Sequence, residues 1–487
     1  MDLGASLAPL LPELFLSIAA MALLLAGVFL GRRSGGTRAR EVGFAAAACL
    51  VAAILLTVLG DARASYPFAG AFVNDALARI AKAFVFAAAI VGLLLSDRYL
   101  VRERLSRPEF PVLILLSCVG MSLMVSANDL ISLYMGIELQ SLSLYIMAAF
   151  NRDSARSTEA GLKYFVLGAL SSGLLLYGGS LIYGFTGSTN FQAIALVGAE
   201  TLGAAEQVGL VFGLVFLISG LAFKISAAPF HMWTPDVYEG SPTPVTAFFA
   251  AAPKLAGMVL FGRVLVEAFP LLLDQWQPIV WLIAAASMIV GALSALVQTN
   301  IKRLMAYSSI GHVGYALIGV AAGTEGGLSA MVTYMVIYLL TTLGSFACIL
   351  AMRRPEGMAE NISDLAGLSQ TQRGLAWAFT FLFLSLAGIP IFLGFFAKFF
   401  VFMAGVEAGL WILVLVFGVG TSVIATYYYL SVIKTIWFDE PQERFVAETG
   451  PAVTITALGS AAVITLGIVF LVGPLVRLSA VAAAPLF

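Results

Sequence analysis

The chain carries fourteen apolar runs of about 18 residues or more, the length that crosses the hydrocarbon core of a bilayer as an α-helix. They cover roughly 12–30, 43–60, 73–95, 110–127, 129–150, 160–185, 208–230, 243–269, 277–298, 303–322, 327–352, 375–403, 409–437 and 452–474. In lipid the backbone has no water to bond, so only helices and closed barrels can span. These runs are too long for barrel strands and do not alternate with period two. The expected fold class is an all-α polytopic membrane protein with fourteen transmembrane helices. The longest polar stretches, 97–109, 186–207 and 353–374, leave no room for a soluble domain. Composition agrees, with 61% hydrophobic and 11% charged residues against about 25% charged in soluble chains. A soluble enzyme, a disordered chain and a nucleic-acid binder are excluded. The net charge of −1 supplies no basic field. Cys49, Cys118 and Cys348 stand alone in apolar runs, so neither a disulfide framework nor a metal site is expected.

Loops rich in Lys and Arg stay cytoplasmic. Of the 26 basic residues, 16 fall after odd-numbered runs: Arg32, Arg33, Arg38, Arg40, Arg98, Arg102, Arg104, Arg107, Arg152, Arg156, Lys302, Arg303, Arg353, Arg354, Arg373 and Arg444. Only Arg63 and Arg477 fall in even-numbered loops or at the termini. The expected topology puts the odd loops in the cytoplasm. Both termini then lie on the far side of the membrane.

Eight basic residues remain inside or at the ends of runs: Arg79, Lys82, Lys163, Lys224, Lys254, Arg263, Lys398 and Lys434. A charge at a helix centre costs about 2.5–3.5 kcal/mol on insertion scales, so such residues point to function. Arg79, Lys82, Arg263 and Lys434 have a structural explanation, by snorkelling or local pairing. Lys224, Lys254 and Lys398, with the buried Glu138, do not. Removing lysine from water disfavours its charged form and lets it exchange protons near neutral pH, while a nearby carboxylate opposes this. That is relay chemistry. His312, near the middle of its run, suits proton transfer by its reference pKa of about 6.5. Lys163 is either a structural partner of Glu138 or a relay site. His231, just beyond Pro229, is either a relay group or an anchor of the turn.

Two lysine-bearing runs contain proline. Pro229 and Pro390 each remove an amide donor and free a carbonyl four residues back, expected at Ile225 and Leu386. Glu159 and Leu162 open one run and Glu325 and Leu328 another, 166 residues later; Lys224 and Lys398 are 174 apart. A repeat of about 170 residues would pair helices 4–8 with helices 9–13. Five helices is an odd number, so the second copy must be inverted, as in ion transporters. The expected layout is 1–109 for helices 1–3, 110–270 for the first repeat, 271–438 for the inverted repeat and 439–487 for the last helix.

The segment KISAAPFHMWTPDVYEGSPTPVTAFFAAAPK, from Lys224 to Lys254, resembles the core signature of the antiporter-like subunits of proton-pumping NADH:quinone oxidoreductase, respiratory complex I. YMGIEL around Glu138, NIKRLMAYSSIGHVGY around His312 and GIPIFLGFFAKF around Lys398 are similar to further motifs of that family. The resemblance covers nearly the whole chain. It implies that Glu138 and Lys224 form a modulating pair in a first half-channel. Lys254 is then the central relay and His312 lies on the connecting axis. Lys398 gates a second half-channel, and Lys163 is an accessory lysine near Glu138. It also implies that this subunit carries no cofactor and does no redox chemistry. NADH, FMN, iron–sulfur clusters and quinone would belong to other subunits, and the partners would be membrane-arm subunits, other antiporter-like ones among them. A subunit of a multisubunit cation/proton antiporter, with the same fold and much of the motif, is the alternative. A passive scaffold is disfavoured by the cost of the buried charges.

Overall fold

The computed structural model describes residues 7–29, 35–61, 63–197, 203–443, 445–446 and 450–487; Arg32, Arg33 and Arg444 lie outside the described residues. Among these, 12 helices are long and apolar enough to cross a membrane, and Glu109–Val125, Arg373–Ala387 and Val472–Leu486 form shorter apolar helices. The protein is a multi-pass helical membrane protein. Its principal helices are α1 (Leu11–Phe29), α2 (Gly35–Leu59), α3 (Ala76–Arg102), α4 (Glu109–Val125), α5 (Leu130–Ala148), α6 (Ala155–Thr186) and α7 (Ala204–Ile225). Beyond them run α8 (Thr234–Gly240), α9 (Thr243–Arg263), α10 (Leu273–Ala295), α11 (Ile301–Ala321) and α12 (Glu325–Leu350). The last are α13 (Arg373–Ala387), α14 (Leu393–Glu407), α15 (Gly420–Phe438), α16 (Pro451–Phe470) and α17 (Val472–Ala483).

Caps start the helices where the sequence supplies a short polar side chain. Asp75 accepts from the Ala78 amide at 2.8 Å, Asp129 from Ile131 at 2.7 Å and Asn300 from Lys302 at 2.8 Å. The helices are apolar all round, and such helices sit in a protein interior or face lipid. Every residue of α9 is buried. α11 and α12 are almost as enclosed, at 94% of their apolar window. These three helices form the centre, and they carry Lys254, His312, Tyr315, Tyr334 and Tyr338. Elsewhere small residues permit close crossings. A Cβ at Gly120 would strike the backbone of Gly136 and Gln140 where α4 meets α5, and one at Gly291 would strike Gly311 where α10 meets α11.

Two proline-containing runs are broken. α7 stops at Ile225, with Ser226 left-handed at φ 62°, and the chain resumes as α8 after a cis Ala228–Pro229 bond. α13 stops at Ala387, Gly388 turns at φ 87°, and α14 begins at Leu393. Gly388 is required here twice over. Its φ favours glycine, and a Cβ would lie 3.0 Å from Cδ and 3.2 Å from Nζ of Lys398. We expect Gly388→Ala to lose about 1–3 kcal/mol from the unfavourable φ. It should also displace Lys398, read as earlier heat inactivation of the membrane-embedded protein.

Isolated bridges tie loops together. Asp129 pairs with Asn190 and Asn300 with Asn361, both antiparallel and displaced by 171 residues at each end. The first residues of α5 and α11, Leu130 and Ile301, keep the same spacing.

Candidate functional site

Glu138 and Lys224 come together through hydroxyls. Lys224 Nζ donates to Ser141 Oγ at 3.0 Å and to Ser172 Oγ at 3.4 Å, and Ser172 in turn donates to the Glu138 carboxylate. Ser141 lies three residues after Glu138 on α5, one helical turn along the same face. Glu138 and Lys224 make no ion pair within 4.0 Å, so the serine separates two opposite charges. A small shift of α5, α6 or α7 would alter that contact. Charge coupling between such groups is strong at low dielectric.

Lys254 meets the first break. Its Nζ donates to the Ile225 carbonyl at 2.8 Å, the carbonyl that Pro229 frees. The ammonium also lies 5.7 Å from the Trp233 ring, and Trp233 Nε1 donates to Phe223 O at 3.1 Å. Lys254 is 1% exposed and has no carboxylate within 4.0 Å among the described residues. Ile225 follows Lys224 directly, so Lys254 is fixed beside the first lysine.

Lys398 meets the second break in the same manner. Its Nζ donates to Ala387 O at 2.9 Å and to Ser422 Oγ at 2.8 Å. The carbonyl that Lys398 takes is Ala387, next to the expected Leu386, where the Gly388 turn ends α13. Nζ stands 4.8 Å from the Tyr315 ring. That ring packs edge-on against His312 at 5.9 Å. The imidazole of His312 contacts Tyr334 OH through Nδ1 at 2.6 Å and Tyr429 OH through Nε2 at 3.2 Å, and Tyr429 also bonds Ser308. Tyr338 lies 5.2 Å away. No hydrogen bond joins Lys254 directly to His312 among the described residues. Buried hydroxyls of Tyr238, Ser309 and Thr342 that have no partner there are polar groups of the same interior.

Two expectations need correction. Lys163 is not brought to Glu138. It pairs with Glu159 and Asp236, each at 2.7 Å, and is 41% exposed. The reason is geometric: Lys163 precedes Ser172 by nine residues on α6, about 13 Å along the axis. It joins an ionic network in which Arg303 bonds Asp236 at 2.7 Å and Glu239 at 3.0 Å, and Arg156 bonds Glu239. Burial raises the Asp236 carboxyl, but Lys163 and Arg303 outweigh it and hold the group below its ordinary range. Lys302, counted as a loop charge, is instead 2% exposed and bonded to Glu360 at 3.0 Å and to the Glu239 and Ser241 carbonyls. For His231 the backbone anchors the turn, accepting from the Thr234 amide at 2.9 Å. Its ring is half-buried, with Nδ1 unpartnered among the described residues.

The remaining buried cations pair with carboxylates. Lys82 sits 2.6 Å from Glu13, which also accepts from Ser122; both charged side chains are almost fully buried. Arg263 holds Asp75 and Glu267. Arg79 reaches the carbonyls of Thr57 and Val58, and Lys434 is exposed. Sequence reading missed Ser141, Ser172, Ser422, Tyr315, Tyr334 and Tyr429. One signal was present: Tyr315 follows His312 by three residues and Tyr338 follows Tyr334 by four, spacings that place each pair on one helix face.

Residues 127–425 match the family described as NADH:quinone oxidoreductase/Mrp antiporter, TM. The chain is 56% identical to NADH-quinone oxidoreductase subunit N of Maricaulis maris over 91% of both chains. It is 52% identical to subunit N 1 of Rhizobium meliloti over 99% of this chain and 98% of that one. Among solved structures it is similar to a chain of respiratory complex I from Thermus thermophilus with bound aureothin (TM-score 0.81, 31% identity, 96% and 100% coverage). It shares its fold with a chain of the Mrp complex from Dietzia (TM-score 0.83, 23% identity, 100% and 98% coverage). A matched region of more than half the sequence, and relatives aligned almost end to end, place this chain in the NADH:quinone oxidoreductase/Mrp antiporter transmembrane family.

Proposed function

We propose that the chain is a proton-translocating membrane-arm subunit of an NADH:quinone oxidoreductase. It performs no redox chemistry of its own. NADH, FMN, iron–sulfur clusters and quinone act in other subunits, and other antiporter-like subunits are its neighbours. The observation that carries the relay is the pair of broken helices, each with a buried lysine on a carbonyl at the break: Lys254 on Ile225 and Lys398 on Ala387. Protons enter at Glu138 and Lys224 and pass to Lys254. They cross by His312 and Tyr315, and leave past Lys398 on the side poor in Lys and Arg. A proton on Lys224 is favoured when Glu138 approaches and released when it withdraws, so the drive is electrostatic. Lys163 acts from the ionic network at the arginine-rich end, and His231 holds the first break.

The fourteen-helix reading with inverted repeats over 110–270 and 271–438 is supported by the two bridges 171 residues apart. The sidedness with both termini in the periplasm rests on the basic-loop count. The assignment to the oxidoreductase, in preference to a cation/proton antiporter, is supported by relatives of 52–56% identity over nearly the whole chain. Purification of the tagged chain from native membranes tests it. NADH-dehydrogenating subunits in the same particle are the expected result; a particle that exchanges cations for protons without NADH dependence would overturn it.

A further inference from the structure

Away from the relay, at the end of the molecule poor in Lys and Arg, Arg263 is enclosed by two carboxylates. Its Nη2 donates to Asp75 Oδ1 at 2.8 Å and Oδ2 at 2.7 Å, and its Nη1 donates to Glu267 Oε1 at 2.9 Å. Side-chain exposure is 0% for Arg263, 1% for Asp75 and 10% for Glu267. Guanidinium stays protonated in proteins. With both carboxylates ionised the buried triad would carry one uncompensated negative charge, which such surroundings strongly disfavour.

The hydrogen bonds say where the charge is cancelled. Asp75 uses both oxygens as acceptors, toward Arg263 and, through Oδ1, toward the Ala78 amide at 2.8 Å. Glu267 uses one oxygen only. Its Oε2 is buried and has no partner among the described residues, and Arg263 Nε is likewise unpartnered. Glu267 sits in a π-helical turn, Val264–Ala268, that ends the α9 span, and such turns recur at functional sites. Among the described residues, the other titratable group facing the triad is Tyr66, 49% exposed on the loop before α3, whose phenol feels Glu267, Asp75 and Arg263.

We propose that Asp75, Arg263 and Glu267 form a proton-holding site, with the exchangeable proton on Glu267 Oε2. Glu267 is the most exposed of the three, at 10% against 1% for Asp75 and 0% for Arg263. In the exchange step a water enters past the exposed edge of the Glu267 side chain to Oε2, the O–H bond breaks with the proton passing to that water, and the carboxylate remains beside Arg263; the reverse step reloads it. Arg263 follows Lys254 by nine residues on α9, about 13 Å, so the site stands on the helix of the central relay lysine. Its use in translocation rests on the relay reading above, whereas its protonation does not.

Infrared spectroscopy of the assembled complex at neutral pH, in light and heavy water, tests the site. The expected result is a deuterium-sensitive carboxylic C=O band that disappears in Glu267→Gln. That variant should assemble at wild-type level, because a neutral amide replaces a neutral acid. Asp75→Asn, which keeps the capping oxygen, removes the surplus charge and should also abolish the band, leaving Glu267 ionised. A band unchanged in both variants would overturn the proposal, as would a wild-type spectrum lacking it. A carboxylate band that shifts with sodium in place of an acid band would assign the site to a cation and overturn it too.

Discussion

Replacing Lys254 by Met is expected to abolish most proton translocation by the assembled complex while leaving the fold in place. Methionine fills the apolar part of the lysine pocket, and volume-conserving swaps in a core usually cost less than about 1.5 kcal/mol. What is lost is the ammonium on Ile225 O. A buried carbonyl left without its donor costs about 1–3 kcal/mol, too little to unfold a helix buried along its whole length. The chemical effect is larger, because among the described residues no other titratable side chain bonds that carbonyl, which Lys254 holds at 2.8 Å. Proton uptake by vesicles during NADH oxidation, set against complex yield, separates the two effects.

The largest effect on stability is expected at a pair outside the relay. Lys82→Met leaves Glu13 buried without its cation. Breaking a buried pair from one side costs about 3–5 kcal/mol, whereas replacing both partners by neutral groups is often tolerated. The single variant should therefore assemble poorly, and Lys82→Met with Glu13→Gln should recover much of the loss, with Ser122 still able to bond the new amide. Such non-additivity is the mark of direct contact. Yields of the two variants in the membrane check it. Equal losses in both would mean that Lys82 acts through packing alone.

Much of the fold was legible because bilayer thickness sets helix length and lipid forbids unpaired backbone. The runs around 243–269 and 303–322 became the buried α9 and α11. The breaks were legible from Pro229 and Pro390, and Ile225 was correctly foreseen as a freed carbonyl. That Lys398 takes the next carbonyl, Ala387, was not legible, since the left-handed turn at Gly388, and not the proline alone, sets where α13 ends. The partners of the charges were far less legible. Glu13 and Lys82 are joined across α1 and α3 by a fold that no local spacing announces. The family resemblance implied Lys163 near Glu138, yet its position along α6 directs it to Glu159 and Asp236. Hydroxyls such as Ser172 and Tyr429 are common in any membrane helix, and only their convergence on Glu138 and His312 gives them meaning.

The buried lysines at the two breaks, Lys254 and Lys398, are expected to carry the protons. The most direct measurement is the number of protons moved per electron by vesicles containing the complex with Lys398→Met or Lys254→Met, at matched rates of NADH oxidation. The account predicts a clear fall in that ratio for each variant, with the complex intact. An unchanged ratio in either would contradict it.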